Sequence, residues 1–117
     1  MPRMGDPLRA FLERHVRTFN AAVESGEFVP LVELFAPDAR LEFVGVPVGP
    51  FEGREAIAAA YAAQPPTDTM TILDTEVEPD GTAVESFSWS SDGGERSGDM
   101  RLVVDGEQIR RLVVSFG

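Results

Sequence analysis

An apolar stripe at helical spacing runs through residues 6–26. Asp6 followed by Pro7 is typical of a helix start, because an aspartate caps free amide groups and proline fits the first turn. Gly26 is a typical C-terminal cap, so the pattern predicts one helix that ends there. The stripe recurs at steps of three and four residues and consists of Leu8, Phe11, Leu12, Val16, Phe19 and Val23.

Two more helices, one strand and one loop are predicted before the pattern changes. Pro30 starts a short second helix that Pro37 stops. The alanine-rich stretch over 54–64 predicts a third helix, which a proline pair ends. Alternation over 39–44 predicts a strand, and the glycines and prolines of 45–53 predict a loop.

The remainder of the chain alternates like strands. The runs 69–78, 82–91, 95–104 and 107–116 are separated by glycine-containing turns, which predicts an antiparallel meander. Helices first and strands last indicate an α+β fold, with three N-terminal helices packed on one face of a curved, mostly antiparallel sheet. A chain of 117 residues is expected to form one domain over its whole length, 1–117.

Composition excludes several classes of chemistry. The chain has no cysteine and one histidine, which excludes a thiolate nucleophile and a multi-histidine metal site within one chain. All ten basic residues are arginine, so a lysine Schiff base is impossible. The net charge of −10 argues against nucleic acid and anionic membranes as partners. We therefore expect chemistry without a metal or an organic cofactor.

The sequence also bears on location. No apolar run reaches the ~18 residues that a membrane-spanning helix needs. The first six residues lack the basic and then apolar pattern of a secretory signal. We therefore expect a cytoplasmic protein.

The orientation of Asp99 decides the functional interpretation. Within its own strand the alternate positions from Met100 to Val104 are apolar, which places Asp99 on the opposite face. A two-residue turn at 105–106 gives another answer, because it pairs Asp99 with Leu112 on the apolar face of the last strand. A three-residue loop with a bulge would shift the register by one residue and reverse that assignment.

The strand before it offers an apolar environment for an inward-facing carboxyl. Glu85, Phe87 and Trp89 share the face that is expected to meet the helices. Among these aromatic rings Asp99 would resist ionisation and could exchange a proton at an enolisable carbon. Glu85, the other acid on that face, is expected at its rim. Apolar residues on both faces of the last hairpin favour a second subunit on the outer face.

Three stretches of the chain resemble the nuclear transport factor 2-like superfamily, in its branch of SnoaL-like polyketide cyclases and ketosteroid isomerases. They are FNAAVESGEFVPLVELFAPDARLEF, GPFEGREAIAAAY and DMRLVVDGEQIRRLVVSFG. The resemblance implies a cone-shaped fold whose pocket holds a small hydrophobic molecule, and a homodimer formed through the outer sheet face. It specifies the reaction poorly, because this fold hosts many unrelated functions.

Position by position, the resemblance to ketosteroid isomerase is incomplete. The isomerase's general-base aspartate falls on Phe43 and its oxyanion-hole tyrosine on Phe19, so classical steroid isomerisation is not expected. Its oxyanion-hole aspartic acid, a carboxyl kept neutral by an apolar site, falls on Asp99. A supporting tyrosine falls on Tyr61. SnoaL-like cyclases rely chiefly on one aspartate as acid and base, and Asp99 would fill that role.

We therefore expect a small-molecule enzyme that isomerises or cyclises an apolar carbonyl or polyketide-like compound by acid–base chemistry. Asp99 would be the acid and base. His15, the side chain that titrates nearest neutrality, and the Tyr61 hydroxyl would assist. The expected substrate-binding residues are Phe11, Phe19, Phe43, Phe87, Trp89, Arg101, Leu112 and Phe116.

Each catalytic candidate also has a structural interpretation. Asp99 would be a surface carboxylate or the ion-pair partner of Arg101, and His15 and Tyr61 would be core residues. The alternative function is a non-catalytic module of the same fold that binds a hydrophobic ligand or dimerises. An epoxide hydrolase is a third option, but it needs paired acids around an arginine, of which Asp99 and Arg101 supply only a part.

Overall fold

The computed structural model of the protein describes residues 6–116 and gives the backbone alone for Asp6. Two expectations therefore lie outside the described residues: the leader without an export signal, and the aspartate cap of the first helix. Within the described part of the chain, no helix is both long enough and apolar enough to span a membrane.

Residues 6–116 form three α-helices and six strands. The helices are α1 (Asp6–Ser25), α2 (Val29–Val32) and α3 (Arg54–Ala63), and Ser90–Asp92 forms a short 3-10 turn. The strands are β1 (Phe35–Val44), β2 (Phe51–Glu52), β3 (Met70–Val77), β4 (Ala83–Trp89), β5 (Gly98–Asp105) and β6 (Gln108–Phe116). They form one sheet in the order β2-β1-β6-β5-β4-β3, in which β1 and β6 run parallel and the other neighbours antiparallel. The predicted α+β class is confirmed.

The second helix is shorter than predicted, and the first strand begins earlier. Phe35 belongs to β1, because its segment pairs with β6 and the Ile109 N–H donates to the Leu34 carbonyl at 2.7 Å. Pro37 lies inside this strand, where the register with β6 shifts between Phe35 and Arg40. A proline is tolerated at such an irregularity because no ladder hydrogen bond is lost.

Helix α1 lies across the inner face of the sheet and buries its predicted apolar stripe, including Phe11, Leu12 and Phe19. Asn20 ties the helix to β3. Its side-chain amide donates to the Met70 carbonyl, and the Met70 N–H donates to the Asn20 carbonyl oxygen, both at 2.9 Å. This pair of hydrogen bonds holds the start of β3 against the helix.

The β5–β6 hairpin differs from the register predicted for it. Its two turn residues are Gly106 and Glu107, because Asp105 pairs with Gln108. One extra residue, Arg110, then forms a bulge that shifts the pairing of the two strands.

Beyond the bulge, Leu102 pairs with Leu112 and Asp99 pairs with Ser115. On its other side Asp99 pairs with Ser86 of β4. Directly paired residues share a face, so Asp99 lies with these serines on the outer face, away from the helices. The expectation that Asp99 shares a face with Leu112 is wrong, and the bulge is the physical reason.

Charged side chains pair with one another over this outer face. The Arg96 guanidinium donates to the Asp99 carboxylate at 3.1 Å, and Arg101 pairs with Glu78. Glu42 accepts hydrogen bonds from Arg40 and Arg111. Because exposed ion pairs contribute little to the stability of a fold, these pairs are not what holds the sheet together.

The first residue of β5 is a glycine because the backbone and a ring crowd it. A Cβ at Gly98 would overlap the Ser115 carbonyl oxygen and would lie 3.2 Å from the Phe87 ring. The strand can keep its register only if this position carries no side chain.

We expect Gly98→Ala to lower the free energy of unfolding by about 2–3 kcal/mol, because the strand must move to accept the methyl group. Gly106→Ala is the control. Its Cβ would have no neighbour within 4 Å, so it should cost only about 1 kcal/mol for the left-handed backbone. Urea denaturation of both variants measures the difference, and equal losses would contradict the crowding at Gly98.

Candidate functional site

The inner face of the sheet, α1, α3 and the loop over 45–50 surround a cavity of about 330 Å³. We call it the aromatic cavity. Among the described residues, no aspartate, glutamate or arginine lines it. The phenylalanine and tryptophan residues of its lining are Phe19, Phe43, Phe51, Phe87, Trp89 and Phe116.

The rings form two groups within the aromatic cavity. In the first, the Trp89 ring lies edge to face against Phe87, with centroids 5.0 Å apart, and 6.2 Å from Phe19. In the second, Phe43 stacks on Phe116 at 6.3 Å. Phe116 is partly exposed, as are two valines of the 45–50 loop that also line the cavity. This side is therefore the opening.

His15 reaches the aromatic cavity from α1 and is 1% exposed. Neither imidazole nitrogen has a hydrogen-bond partner among the described residues. Burial lowers the pKa of His15 to about 4, so the ring is neutral at physiological pH. Protonating it here costs about 3 kcal/mol more than in water.

Tyr61 reaches the same cavity from α3, and its ring stacks on Phe28 with centroids 5.4 Å apart. Burial raises the pKa of the Tyr61 hydroxyl above its ordinary value, so the group keeps its proton. It makes no hydrogen bond to any other residue that the structure describes. Gln64 also lines the cavity. It is the residue that follows the end of α3, three positions after Tyr61, and that spacing within the predicted helix could have identified it.

The structure separates the catalytic candidates. His15 and Tyr61 line one cavity, whereas Asp99 lies on the opposite face of the sheet. The hydrogen bond from Arg96 lowers the pKa of Asp99, which is therefore a surface carboxylate in an ion pair. The neighbouring Met100 takes the inward position instead and lines the cavity. The expectation that Asp99 faces the interior is wrong.

The expected substrate-binding residues divide in the same way. Arg101 lies on the outer face beside Asp99, so its expected place in the site is wrong. Phe11 is buried in the core and does not line the aromatic cavity. The others line it: Phe19, Phe43, Phe87, Trp89, Leu112 and Phe116.

Like His15, Glu85 is a buried ionisable group, and it lies on β4 beneath α1. It is 2% exposed, and its Oε1 atom has no hydrogen-bond partner among the described residues. Burial raises its pKa to about 7. The expected rim position is therefore wrong, and Glu85 does not line the aromatic cavity.

His15 and Glu85 should change the free energy of unfolding with pH in opposite directions. The folded-state pKa of His15 is about 4 against an ordinary 6.5. Its contribution to the free energy of unfolding is therefore present above pH 6.5 and is lost as the pH falls through 4. The folded-state pKa of Glu85 is about 7 against 4.5, so its contribution is present below pH 4.5 and is lost as the pH rises through 7. Each contribution amounts to about 3 kcal/mol.

Single substitutions should reveal each pH dependence separately. Relative to the wild type, we expect the unfolding free energy of His15→Gln to fall as the pH rises from 4.5 to 6.5. The variant lacks the stability that the wild type gains as His15 loses its proton in this range, and only the opposite effect of Glu85 is left. We expect Glu85→Gln to show the reverse. Urea denaturation across this range measures both, and parallel curves for the two variants would contradict the assignment.

The family of the chain follows from its sequence. The SnoaL-like domain model matches residues 16–112, most of the chain. A search of the curated proteins finds no match.

Solved structures share the fold at low sequence identity. A candidate isomerase from Bacillus subtilis is 17% identical, with a TM-score of 0.73 over 92% of this chain and 87% of its own. A candidate polyketide cyclase from Sinorhizobium meliloti is 23% identical, with a TM-score of 0.61 over 86% and 93%. A candidate ketosteroid isomerase from Kribbella flavida is 18% identical, with a TM-score of 0.66 over 92% and 78%. The chain belongs to the SnoaL-like domain family.

Proposed function

We propose that the protein binds an uncharged, largely apolar carbonyl or polyketide-like compound in the aromatic cavity. The observation that carries this proposal is the His15 imidazole, which lines the cavity and has no partner on either nitrogen among the described residues. Buried polar groups normally have a partner. A ligand oxygen is the partner that this imidazole lacks.

The lining limits the chemistry of the ligand. Because no charged side chain among the described residues lines the cavity, a ligand with a formal charge would lose its hydration without compensation. A neutral imidazole offers one donor and one acceptor, and Tyr61 and Gln64 add further polar groups. The volume is near the lower end for ligand pockets, which favours a compound of one or two rings.

Turnover is the second candidate, favoured by the neutral imidazole and the protonated tyrosine in one apolar cavity. Both groups can donate a hydrogen bond to a substrate carbonyl, which stabilises the enol form in an isomerisation or cyclisation. As a base His15 is weak, because the imidazolium that it would become is disfavoured by about 3 kcal/mol. Asp99, on the other face of the sheet, offers no alternative base. Binding is therefore the first proposal.

A homodimer through the outer sheet face stays a prediction. Val44 and Val103 lie on that face and are 52% and 41% exposed. Apolar side chains among paired charges suit an interface with a second copy of this chain.

Binding can be followed by the fluorescence of Trp89, the single tryptophan of the chain, which lines the cavity. We expect saturable quenching by 2-naphthol. His15→Leu and Tyr61→Phe should each weaken the affinity for naphthol by about threefold to tenfold, the value of one hydrogen bond. They should change the affinity for naphthalene, which lacks the hydroxyl, much less.

Asp99→Asn, on the outer face, is the matched control and should bind both compounds like the wild type. An absence of saturation would overturn the binding proposal. Naphthol affinities that are unchanged in His15→Leu and Tyr61→Phe would remove these residues from the site.

Turnover needs a separate measurement. α-Tetralone carries one carbonyl and an enolisable carbon, so its exchange with deuterium oxide reports proton transfer by NMR. The second candidate predicts exchange that is faster than in buffer, is lost in His15→Leu and is kept in Asp99→Asn. Binding of α-tetralone without faster exchange would leave a binding protein.

A further inference from the structure

A second cavity of about 390 Å³ lies between α1 and the strands β3 and β4. We call it the Glu85 cavity, after the carboxyl that lines it. Leu12 and Val16 of α1 and Ile72 of β3 form its apolar walls. Among the described residues, it shares no lining residue with the aromatic cavity.

The Glu85 carboxyl faces this cavity without a partner. The residue is 2% exposed, and Oε1 forms no hydrogen bond within the described residues. The residues paired with Glu85 on the neighbouring strands are Thr75 and Met100, and neither donates a hydrogen bond to Oε1. A buried acceptor without a donor destabilises the fold. A ligand that brings a donor to this point would remove the penalty.

The mouth of the Glu85 cavity has the opposite charge. Arg9 and Arg17 lie eight residues apart on α1, and both are exposed and line the cavity. Among residues 7–116, whose side chains the structure describes, neither arginine has an ion-pair partner. Glu13, also exposed, lies between them. The cavity is therefore acidic at its buried end, apolar along its walls and mainly basic at its mouth.

We propose that the Glu85 cavity binds a small zwitterion of the amino-acid class, with its ammonium group at Glu85 and its carboxylate at Arg9 and Arg17. Charge-assisted hydrogen bonds at both ends are the stronger kind, and the methylenes between them cover Leu12 and Val16. A simple amine leaves the arginines unused, and a simple carboxylic acid leaves Glu85 without a donor. The zwitterion satisfies both ends.

Binding at this site is coupled to proton release. The charged groups that face the cavity are Arg9, Glu13 and Arg17 from α1 and Glu85 from β4, whereas β3 contributes Ile72 and Thr75. Of these, Glu85 is partly protonated near neutral pH. An ammonium group beside it favours the carboxylate, so the proton leaves as the ligand enters.

Calorimetric titration of the full chain with δ-aminovalerate tests the proposal. At about pH 6, in two buffers of different ionisation enthalpy, we expect a Kd on the order of 0.1–1 mM and release of part of one proton. Valerate, which lacks the amine, and pentylamine, which lacks the carboxylate, should each bind at least about tenfold more weakly.

Three variants locate the two ends. Glu85→Gln should weaken δ-aminovalerate about tenfold or more and abolish the proton release. The double variant Arg9→Gln, Arg17→Gln should weaken binding while keeping the proton release. Glu24→Gln, the same change as in Glu85→Gln at an exposed position of α1, should bind like the wild type. Circular dichroism confirms that each variant is folded.

Several results would overturn the proposal. Valerate as tight as δ-aminovalerate would indicate an anion site at the arginines, and pentylamine as tight would indicate a simple amine site. Unchanged binding in Glu85→Gln would place the ligand elsewhere. No binding of δ-aminovalerate would dismiss the site and would leave the proposal for the aromatic cavity untouched.

Discussion

The composition of the interior depends on the register between β5 and β6. Side chains alternate between the two faces along both strands, so a slip of one residue exchanges the whole inner set for the outer set. The bulge at Arg110 sets this register, and it turns Leu112 and Val114 toward the helices and Asp99 away from them. The aromatic cavity therefore receives apolar side chains from the sheet, and His15 and Tyr61 come from the helices that close it.

Strong periodicity made much of the fold predictable. The stripe of α1 and the alternation of the last four strands each favour one structure over its alternatives. The weaker patterns failed for physical reasons. Phe35 suits the end of a short helix as well as a buried strand, and its pairing with Ile109 decided between them. Alternation within β5 alone places Asp99 on the outer face, which is where it lies. The bulge at Arg110 leaves no mark in a hairpin with apolar residues on both faces, so the register predicted from the turn gave the wrong face.

The candidate site was predictable where it uses the inner faces of regular elements. Phe87 and Trp89 follow from the alternation of β4, and His15 lies within the stripe of α1. The loop over 45–50 contributes to the cavity only through the tertiary fold, which no local pattern specifies. The burial of Glu85 is not predictable from the sequence, because carboxylates are rarely fully buried. Its burial creates the polar end of a second cavity.

The two faces of the sheet can diverge independently over evolutionary time. Neighbouring positions of β5, such as Asp99 and Met100, belong to different surfaces: one to the ion pairs outside, the other to the cavity within. A change at an inner position alters the shape offered to a small molecule and leaves the outer charge pairs in place. Drift on the outer face can in turn alter which surfaces associate without disturbing the interior. Such separation gives one physical reason why a single scaffold of this kind accommodates many unrelated chemistries.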